Sequence, residues 1–252
     1  MIFTMHRPIF SGIYRQYDEA NQHAQGDGFS TPGAIARAVD KLKTLRSLSS
    51  STMLIGLRSS TLPAFLVGLD HQNAVSVLDF GGSVGFGYQT VVSCCPDLSI
   101  KRYDIVEAPA ICDAGSSFFE KSDPVHFFPQ IPADTTWDII YLNSCIQYID
   151  KYETLVETLG QRCRFLLIDD LPSGDIPDFI SLQTYYDSLI PHRFFSLKNF
   201  ITISENSGIK LRYQNTYLGA ILGKIQGYPM NNLPADYRIQ FSSTLLFGSE
   251  IE

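Results

Sequence analysis

The sequence predicts an α/β fold with a mainly parallel, doubly wound sheet. From Val75 to Pro172, apolar runs alternate with amphipathic segments, which implies strand–helix–strand units with right-handed crossovers. The first run, VSVLDFGGSVGFG from Val75 to Gly87, ends in an aspartate and four glycines. That order predicts a buried strand, a tight turn and a helix start whose unpaired N–H groups would face a ligand.

Length and charge limit the classes of partner. The 252 residues suffice for one α/β domain with elaborations and a full core. A net charge of −7 and the lack of a lysine- and arginine-rich stripe argue against nucleic acid and favour a small molecule or a neutral glycan as the partner. The oligomeric state stays open, with a homodimer as one option.

Two further observations concern the compartment. No apolar run approaches the roughly 18 residues of a membrane span, and no apolar signal segment follows Arg7, so we expect a cytoplasmic protein without membrane contact. The five cysteines show neither a C-x-x-C pair nor zinc spacing, which favours a reducing compartment and no metal. We expect Cys94 and Cys95 to be small buried side chains of the first crossover helix.

The glycine-rich turn separates two classes of ligand. In the dinucleotide fingerprint G-x-G-x-x-G the first glycine follows the strand directly. Here Asp79 stands at the strand tip, and the spacing is D-x-G-x-S-x-G. The residues expected to surround the ligand at this turn are Asp79, Gly81, Gly82, Ser83 and Gly85. A glycine-rich turn that serves only the geometry of the sheet is the alternative.

Later strand ends add polar candidates for the same crevice. Glu107 follows the second predicted strand, 22 residues beyond Gly85, and could accept both ribose hydroxyls of a nucleoside or be a solvated strand-end charge. Phe127 or Phe128, near the end of a short third strand, could lie against an adenine or pack in the core. Asn143 and Ser144 end the fourth strand and face the crevice, unless Asn143 caps the turn.

The two ends of the chain are expected to elaborate this unit. Residues 1–70 are predicted to form a helical cap, and residues 71–252 the ligand-binding domain. In the cap, Ser30 or Thr31 would begin a helix with Pro32 in its first turn. Beyond the fifth strand we expect a polar, aromatic loop, a helix that begins at Ser196 and stops near Gly208, a strand from Ile209 and a last strand near the C-terminus.

Together these features resemble class I S-adenosylmethionine (AdoMet) methyltransferases. They resemble more narrowly a family of bacterial methyltransferases associated with surface-polysaccharide or secondary-metabolite gene clusters. The motifs that carry the resemblance are G-x-Y followed by YDEA near the start (Gly12, Tyr14, Tyr17 to Ala20), LDFGGSVG, VEAP, NSCIQYI, and the stretch from LIDDLP to LQTYY. The chain departs from that family at Tyr17, where a tryptophan is frequent, and at Asp170, where an arginine is common.

The resemblance implies a Rossmann-like, seven-stranded sheet whose last strand is antiparallel. It implies AdoMet across the carboxyl ends of the first, second and fourth strands of the cofactor domain. The cofactor-binding residues that it implies are Asp79, Gly81, Ser83, Gly85, Glu107 and Asn143.

The first hypothesis for function is an AdoMet-dependent methyltransferase acting on oxygen, with nitrogen second, of a small molecule or sugar. His192 is the candidate base and Asp170 its orienting group, against the alternative that His192 is an exposed loop histidine without a role. The acceptor would lie where the cap, with Tyr14 and Tyr17, closes over the loop that holds Gln183, Tyr186 and His192. For Tyr14 and Tyr17, packing of the cap onto the sheet is the alternative.

Two other classes of function stay open. One is a catalytically silent AdoMet-binding partner subunit, which the departures from the usual motif at Ser83 and Asp170 allow. The other is a nicotinamide-dependent oxidoreductase, which the glycine spacing disfavours.

Overall fold

A computed structural model describes residues 8–47, 61–69, 74–221 and 224–249 of the chain. The strands are β1 (Phe10–Tyr14), β2 (Val75–Phe80), β3 (Ile100–Val106), β4 (Val125–Phe128), β5 (Trp137–Asn143), β6 (Cys163–Leu171), β7 (Ser173–Gly174), β8 (Phe179–Tyr185), β9 (Ser188–Ser196), β10 (Ile209–Tyr217), β11 (Ala220–Ile221), β12 (Lys224–Ile225) and β13 (Ser242–Ser249). The helices are α1 (Tyr17–Asn21), α2 (Pro32–Ser47), α3 (Thr61–Gly68), α4 (Phe86–Cys94), α5 (Pro109–Ser116), α6 (Tyr152–Gly160) and α7 (Leu197–Asn206). Single 3-10 turns span Gly28–Ser30, Ile146–Tyr148 and Ala235–Tyr237.

The main sheet confirms the predicted fold class. Its seven strands lie in the order β10-β13-β6-β5-β2-β3-β4. The five strands from β6 to β4 are mutually parallel, whereas β13 pairs antiparallel with both β6 and β10. The chain leaves β2 towards β3 on one side and later returns to its other side as β5, so the strand order reverses at β2. Ligands of open α/β sheets bind at such a reversal, beyond the carboxyl ends of the strands.

The core fills both faces of this sheet. Successive residues of a strand point to opposite faces, so β2 places Leu78 in one apolar cluster and Val77 in the other. The first cluster includes Phe200 of α7, and the second includes Val91 of α4. Because both faces are covered, the parallel strands are nearly continuous apolar runs in the sequence.

A second, four-stranded sheet corrects the prediction for residues 176–195. Its strand order is β1-β8-β9-β7, and the expected polar loop is the hairpin formed by β8 and β9. Two features concealed this hairpin. Several side chains on either face of β8 are buried, so apolar and polar residues do not alternate. Its two-residue turn, Tyr186 and Asp187, lacks the glycine that usually marks a hairpin.

The expected helical cap likewise differs at its start. Its first described element is strand β1, which pairs antiparallel with β8, Phe10 opposite Gln183. The predicted helix of the cap is α2, and the Oγ1 atom of Thr31 accepts a hydrogen bond from the N–H of Ala34 at 3.2 Å, as an N-cap residue does. Leu42 of α2 is fully buried in a cluster with Val84 of the glycine-rich turn. Helix α2 therefore lies over the predicted ligand site.

Several smaller predictions can be placed. Cys94 is exposed and Cys95 half-buried at the C-terminal end of α4, contrary to the expectation of two buried side chains. The proposed boundary at residue 70 and the segment around Arg7 lie outside the described residues. Within the described ranges, no helix combines the length and apolar character needed to cross a bilayer.

Candidate functional site

A cleft of about 700 Å³ opens at the carboxyl ends of β2, β3 and β5. Its inner half is formed by the glycine-rich turn after β2 and by the residues that follow β3 and β5. Its outer half is formed by α2, the Ile146–Tyr148 turn and the tip of the hairpin. This volume is typical of sites for ligands the size of a cofactor.

The turn after β2 has a backbone that requires glycine at Gly81. Gly81 has φ +73°, and a Cβ atom built on it would lie 2.6 Å from the Cβ of Cys145. The close approach of the Cys145 turn, and not only room for a ligand, therefore requires this glycine. Ser83 also has a positive φ, 53°, although it has a side chain. Strained residues of this kind concentrate at functional sites.

Glu107 is held in the cleft by two backbone amides. The N–H of Ser83 donates to its Oε1 atom and the N–H of Ala108 to its Oε2 atom, both at 3.0 Å. Burial raises the pKa of the Glu107 carboxyl, and these two hydrogen bonds oppose that rise. The strained turn and the end of β3 thus fix one carboxylate whose oxygens retain lone pairs for further donors. This arrangement differs from the alternative for Glu107, which was a solvated charge at the end of the strand.

Asp79 is the second acid of the inner half. It is only 2% exposed, and the hydroxyl of Tyr103 donates to its Oδ2 atom at 2.8 Å. Burial raises the pKa of Asp79 to about 7, the Tyr103 hydrogen bond lowers it, and the negative charge of Glu107 raises it. No lysine or arginine of the described residues forms an ion pair with Asp79. A cation in the cleft would therefore find a carboxylate whose charge is not yet compensated.

The end of β5 supplies the third wall. Asn143 and Ser144 both line the cleft. Ser144 has φ 54°, and its N–H donates to the carbonyl of Asp169 at 3.1 Å. Asp169 is buried and accepts hydrogen bonds from Tyr141 at 3.1 Å and from Thr244 at 2.7 Å. The turn after β5 is thus tied to β6 and β13 behind it.

Two predicted cofactor residues do not line the cleft. Phe128 packs against the core cluster, which was the alternative for it, while its carbonyl accepts the N–H of Glu107 at 3.1 Å and the next residue, Pro129, lines the cleft. Gly85 faces Phe119, whose ring would lie 2.6 Å from an added Cβ. Gly85 instead begins α4 in the left-handed conformation with φ 98°.

The sequence predicts a loop around His192, but the structure does not place it in one. It is in strand β9, 2% exposed, with its ring 4.6 Å from that of Phe194 and 5.0 Å from that of Phe10. Its Nδ1 atom is buried without a hydrogen-bond partner, and burial lowers the pKa of the imidazole to about 3. A group with that pKa is a weak base near neutral pH, and His192 does not line the cleft. The structure therefore argues against His192 as the base.

The contacts of Asp170 also differ from those of its predicted role. It accepts hydrogen bonds from Ser242 at 2.6 Å and from Tyr228 at 3.5 Å. The Nδ1 atom of His192 has no partner, so Asp170 does not orient the imidazole through it. These contacts link β6 to β13 and to the segment before it.

Two of the predicted acceptor residues, Tyr17 and Gln183, are linked through Tyr148. Tyr17 donates to the carbonyls of Tyr148 at 2.8 Å and Pro191 at 3.4 Å, and the Tyr148 hydroxyl donates to Gln183 at 2.8 Å. Tyr14 packs its ring 5.6 Å from that of His23. Tyr17 and Gln183 support the wall of the cleft from behind.

Of the predicted acceptor residues, only Tyr186 lines the cleft. Sequence reasoning missed four other residues of the outer half, and one residue of α2 beside the glycine-rich turn. The four are Phe29, Arg37, Tyr148 and Tyr185, and the one is Lys41. Arg37 and Lys41 lie four residues apart on α2, a spacing that does put two cations on one face of a helix.

No family model and no curated protein matches the sequence. Solved structures match the fold. LepI in complex with SAM aligns with a TM-score of 0.54 and 10% identity over 96% of this chain and 60% of LepI. The mitomycin 7-O-methyltransferase MmcR aligns at 0.52 and 13% identity over 93% of this chain and 61% of MmcR. An S-adenosylmethionine-dependent methyltransferase from Mesorhizobium loti aligns at 0.50 and 9% identity over 74% of this chain and 96% of that protein.

These comparisons establish the fold alone. The chain has the Rossmann-like fold of class I methyltransferases, with the same kind of seven-stranded sheet that its topology shows. It spans 53% to 60% of the LepI chains that it matches. The narrower resemblance to one bacterial family has no support from the sequence comparisons.

Proposed function

We propose that this protein is an AdoMet-dependent methyltransferase that acts on an oxygen of a small molecule or sugar. The observation that carries the proposal is Glu107, whose two carboxylate oxygens are fixed by the amides of Ser83 and Ala108 inside the cleft. A carboxylate held in this way is suited to two hydroxyl groups of one ribose. The fold of the structural neighbours, among which LepI was solved with SAM, supports the same cofactor.

The residues of the inner half fit the cofactor by their chemistry. Glu107 would receive the ribose hydroxyls, and Asp79 would face a positive group of the amino-acid portion. Asn143 and Ser144 would contact the ligand from the end of β5. When bound, AdoMet supplies a sulfonium methyl group; its transfer forms the oxygen–carbon bond, breaks the sulfur–carbon bond with the electron pair left on sulfur, and releases the acceptor proton.

The protein's part in this reaction is mainly alignment. Displacement at a sulfonium needs the acceptor oxygen in line and water excluded, and holding the reactants in place contributes most of what a protein can add. Among the described residues, the lining of the cleft includes no histidine. An acceptor whose hydroxyl is itself acidic suits such a site, because its proton leaves without a strong base.

The test is calorimetry with S-adenosylhomocysteine on wild type, Glu107→Ala and Glu157→Ala. Glu157 is an exposed glutamate of α6 and provides the matched control. Loss of a charged acceptor of hydrogen bonds costs about 1.5–3 kcal/mol, so Glu107→Ala should bind roughly 10- to 150-fold more weakly while Glu157→Ala binds as wild type does. Wild-type affinity in Glu107→Ala, or binding of NAD in place of S-adenosylhomocysteine, would refute the proposal.

A catalytically silent AdoMet-binding protein is the second candidate. One observation favours it, namely that the predicted base, His192, is buried outside the cleft. A structural neighbour with a TM-score of 0.52 is described as a pericyclic reaction enzyme, so this fold is found with chemistry other than methyl transfer. Incubation with methyl-labelled AdoMet and an extract of small molecules separates the two, since only a methyltransferase produces a labelled product together with S-adenosylhomocysteine.

A further inference from the structure

The outer half of the cleft is lined by a continuous run of aromatic rings. The ring centroid of Phe29 lies 4.8 Å from that of Tyr148 and 4.5 Å from that of Tyr185. Tyr185 in turn lies 4.9 Å from Tyr186 at the tip of the hairpin. The rings meet at angles of 50° to 85°, so two of the contacts are edge-to-face, the contact of Phe29 with Tyr185 is tilted, and no ring is stacked flat on its neighbour. All four side chains line the cleft.

Such a wall favours a flat, largely apolar occupant. Aromatic rings bury large apolar areas and prefer other rings in edge-to-face or offset contact. The hydroxyl of Tyr148 already donates to Gln183, so this tyrosine contributes its ring more than its proton. A sugar, by contrast, would require many hydrogen-bonding partners along the same wall.

Arg37 adds a positive charge at the rim of this half. Its guanidinium carbon lies 3.6 Å above the ring centroid of Tyr186, which is 61% exposed. A guanidinium stacked on a ring keeps its N–H donors at its edge, where they can form paired hydrogen bonds to a carboxylate. The acids of the cleft, Asp79 and Glu107, belong to the inner half, and Lys41 lies over Phe86 beside the glycine-rich turn. Among the described residues that line the cleft, Arg37 is thus the cation of the outer half.

Backbone strain at Tyr186 points to the same place. Tyr186 has φ 51°, a conformation that is uncommon for a bulky residue, at an exposed hairpin tip where asparagine or glycine is usual. The contacts of its ring with Arg37 and Tyr185 stabilise this conformation. Strain of this kind is retained mostly where a side chain serves a site.

We infer that the outer half binds a planar aromatic acceptor that carries a carboxylate, with the ring against Phe29, Tyr148 and Tyr185 and the carboxylate on Arg37. The inference rests on the proposed function and narrows its acceptor class. It agrees with the lack of a histidine among the described residues that line the cleft, because a phenolic hydroxyl is more acidic than the hydroxyl of a sugar.

The experiment compares three probes in the presence of saturating S-adenosylhomocysteine: 4-hydroxybenzoate, 4-hydroxybenzamide and methyl glucoside. Calorimetry is run on wild type, Arg37→Ala, Arg37→Lys, and Lys43→Ala, an exposed cation of α2 that pairs with Asp40. For wild type we expect 4-hydroxybenzoate to bind at least about 10-fold more tightly than the amide, as one charge-assisted hydrogen bond provides. Methyl glucoside should show no binding.

The variants separate the charge from the packing. Arg37→Ala should lose about 10- to 100-fold for 4-hydroxybenzoate and little for the amide. Arg37→Lys should recover part of the loss, and Lys43→Ala should match wild type. Three results would overturn the inference. Wild type would bind 4-hydroxybenzoate and 4-hydroxybenzamide equally, Arg37→Ala would lose affinity equally for both, or methyl glucoside would bind more tightly than 4-hydroxybenzoate. The affinity of wild type for S-adenosylhomocysteine is measured first. If wild type does not bind S-adenosylhomocysteine, the proposed function fails. If it binds S-adenosylhomocysteine normally but does not bind 4-hydroxybenzoate, only the acceptor class fails.

Discussion

The two halves of the cleft are built on opposite principles. In the inner half, Asp79 and Glu107 are each held by hydrogen bonds from Tyr103 or from backbone amides at the ends of packed parallel strands. In the outer half, the walls are aromatic rings and an exposed arginine on elements from distant parts of the chain. The difference indicates that the inner half is preorganised for one ligand, whereas the outer half can accommodate variation in its ligand.

The largest effect is expected from a change in the inner half at Gly81. Gly81→Ala adds a Cβ atom 2.6 Å from the Cβ of Cys145 at a residue with φ +73°. Backbone strain and overpacking each cost about 1–3 kcal/mol, so we expect a clear loss of stability and of S-adenosylhomocysteine binding. Thermal unfolding and calorimetry measure the two losses.

Gly68→Ala is the matched control for that change. An added Cβ at Gly68, the last residue of α3, meets nothing within 4 Å. It should therefore leave stability and binding close to those of wild type. Equal behaviour of the two variants would mean that the turn is not rigid, and the contrast between the two halves would lose its basis.

The sheet behind the outer half should respond to acid through His192. The folded-state pKa of this imidazole is lowered to about 3, so between about pH 6.5 and pH 3 the unfolded chain binds a proton that the folded protein does not. The contribution of His192 to stability therefore falls as the pH falls through this window, by on the order of 3 kcal/mol between about pH 7 and pH 4. His192→Leu, which keeps an apolar side chain there, should lose less stability over the same range in urea unfolding.

The control for this titration is His23→Leu, which removes an exposed histidine and should retain the acid sensitivity of wild type. Turnover gives an independent readout. If His192 is a structural residue, His192→Leu turns over at neutral pH at a rate close to that of wild type. A loss of two or more orders of magnitude with unchanged folding would instead restore His192 as the base.

The contrast between the halves also explains what the sequence predicted. The inner half follows from contiguous motifs, because strand, turn and acid at β2 and β3 are adjacent in the chain, and parallel strands bring their ends together. The outer half joins Phe29, Tyr148 and Tyr185, whose proximity depends on a hairpin without a glycine turn and on the pairing of Gln25 with Leu189. No local pattern encodes those pairings. The burial of His192 followed from the same hairpin and was missed for the same reason.

The smallest expected effect tests whether Asp79 faces a cation of the ligand. Burial raises its pKa to about 7, so in the free protein the folded state holds a proton between about pH 4 and pH 7 that the unfolded chain has lost. Its contribution to stability therefore falls as the pH rises through this window, opposite in sign to that of His192. Asp79→Asn should accordingly steepen the loss of stability on acidification.

The affinity for S-adenosylhomocysteine should change with pH as Asp79 titrates. Its ammonium group prefers ionised Asp79, so affinity should rise about tenfold between about pH 6 and pH 8 in wild type and stay flat in Asp79→Asn. Tyr103→Phe removes the hydrogen bond that lowers the pKa of Asp79 and should move the midpoint upward by about one pH unit. Tyr213→Phe, at an exposed tyrosine of β10, should leave the midpoint unchanged. A flat profile in wild type, or a downward shift in Tyr103→Phe, would show that Asp79 does not meet the ammonium group and that its burial serves the turn alone.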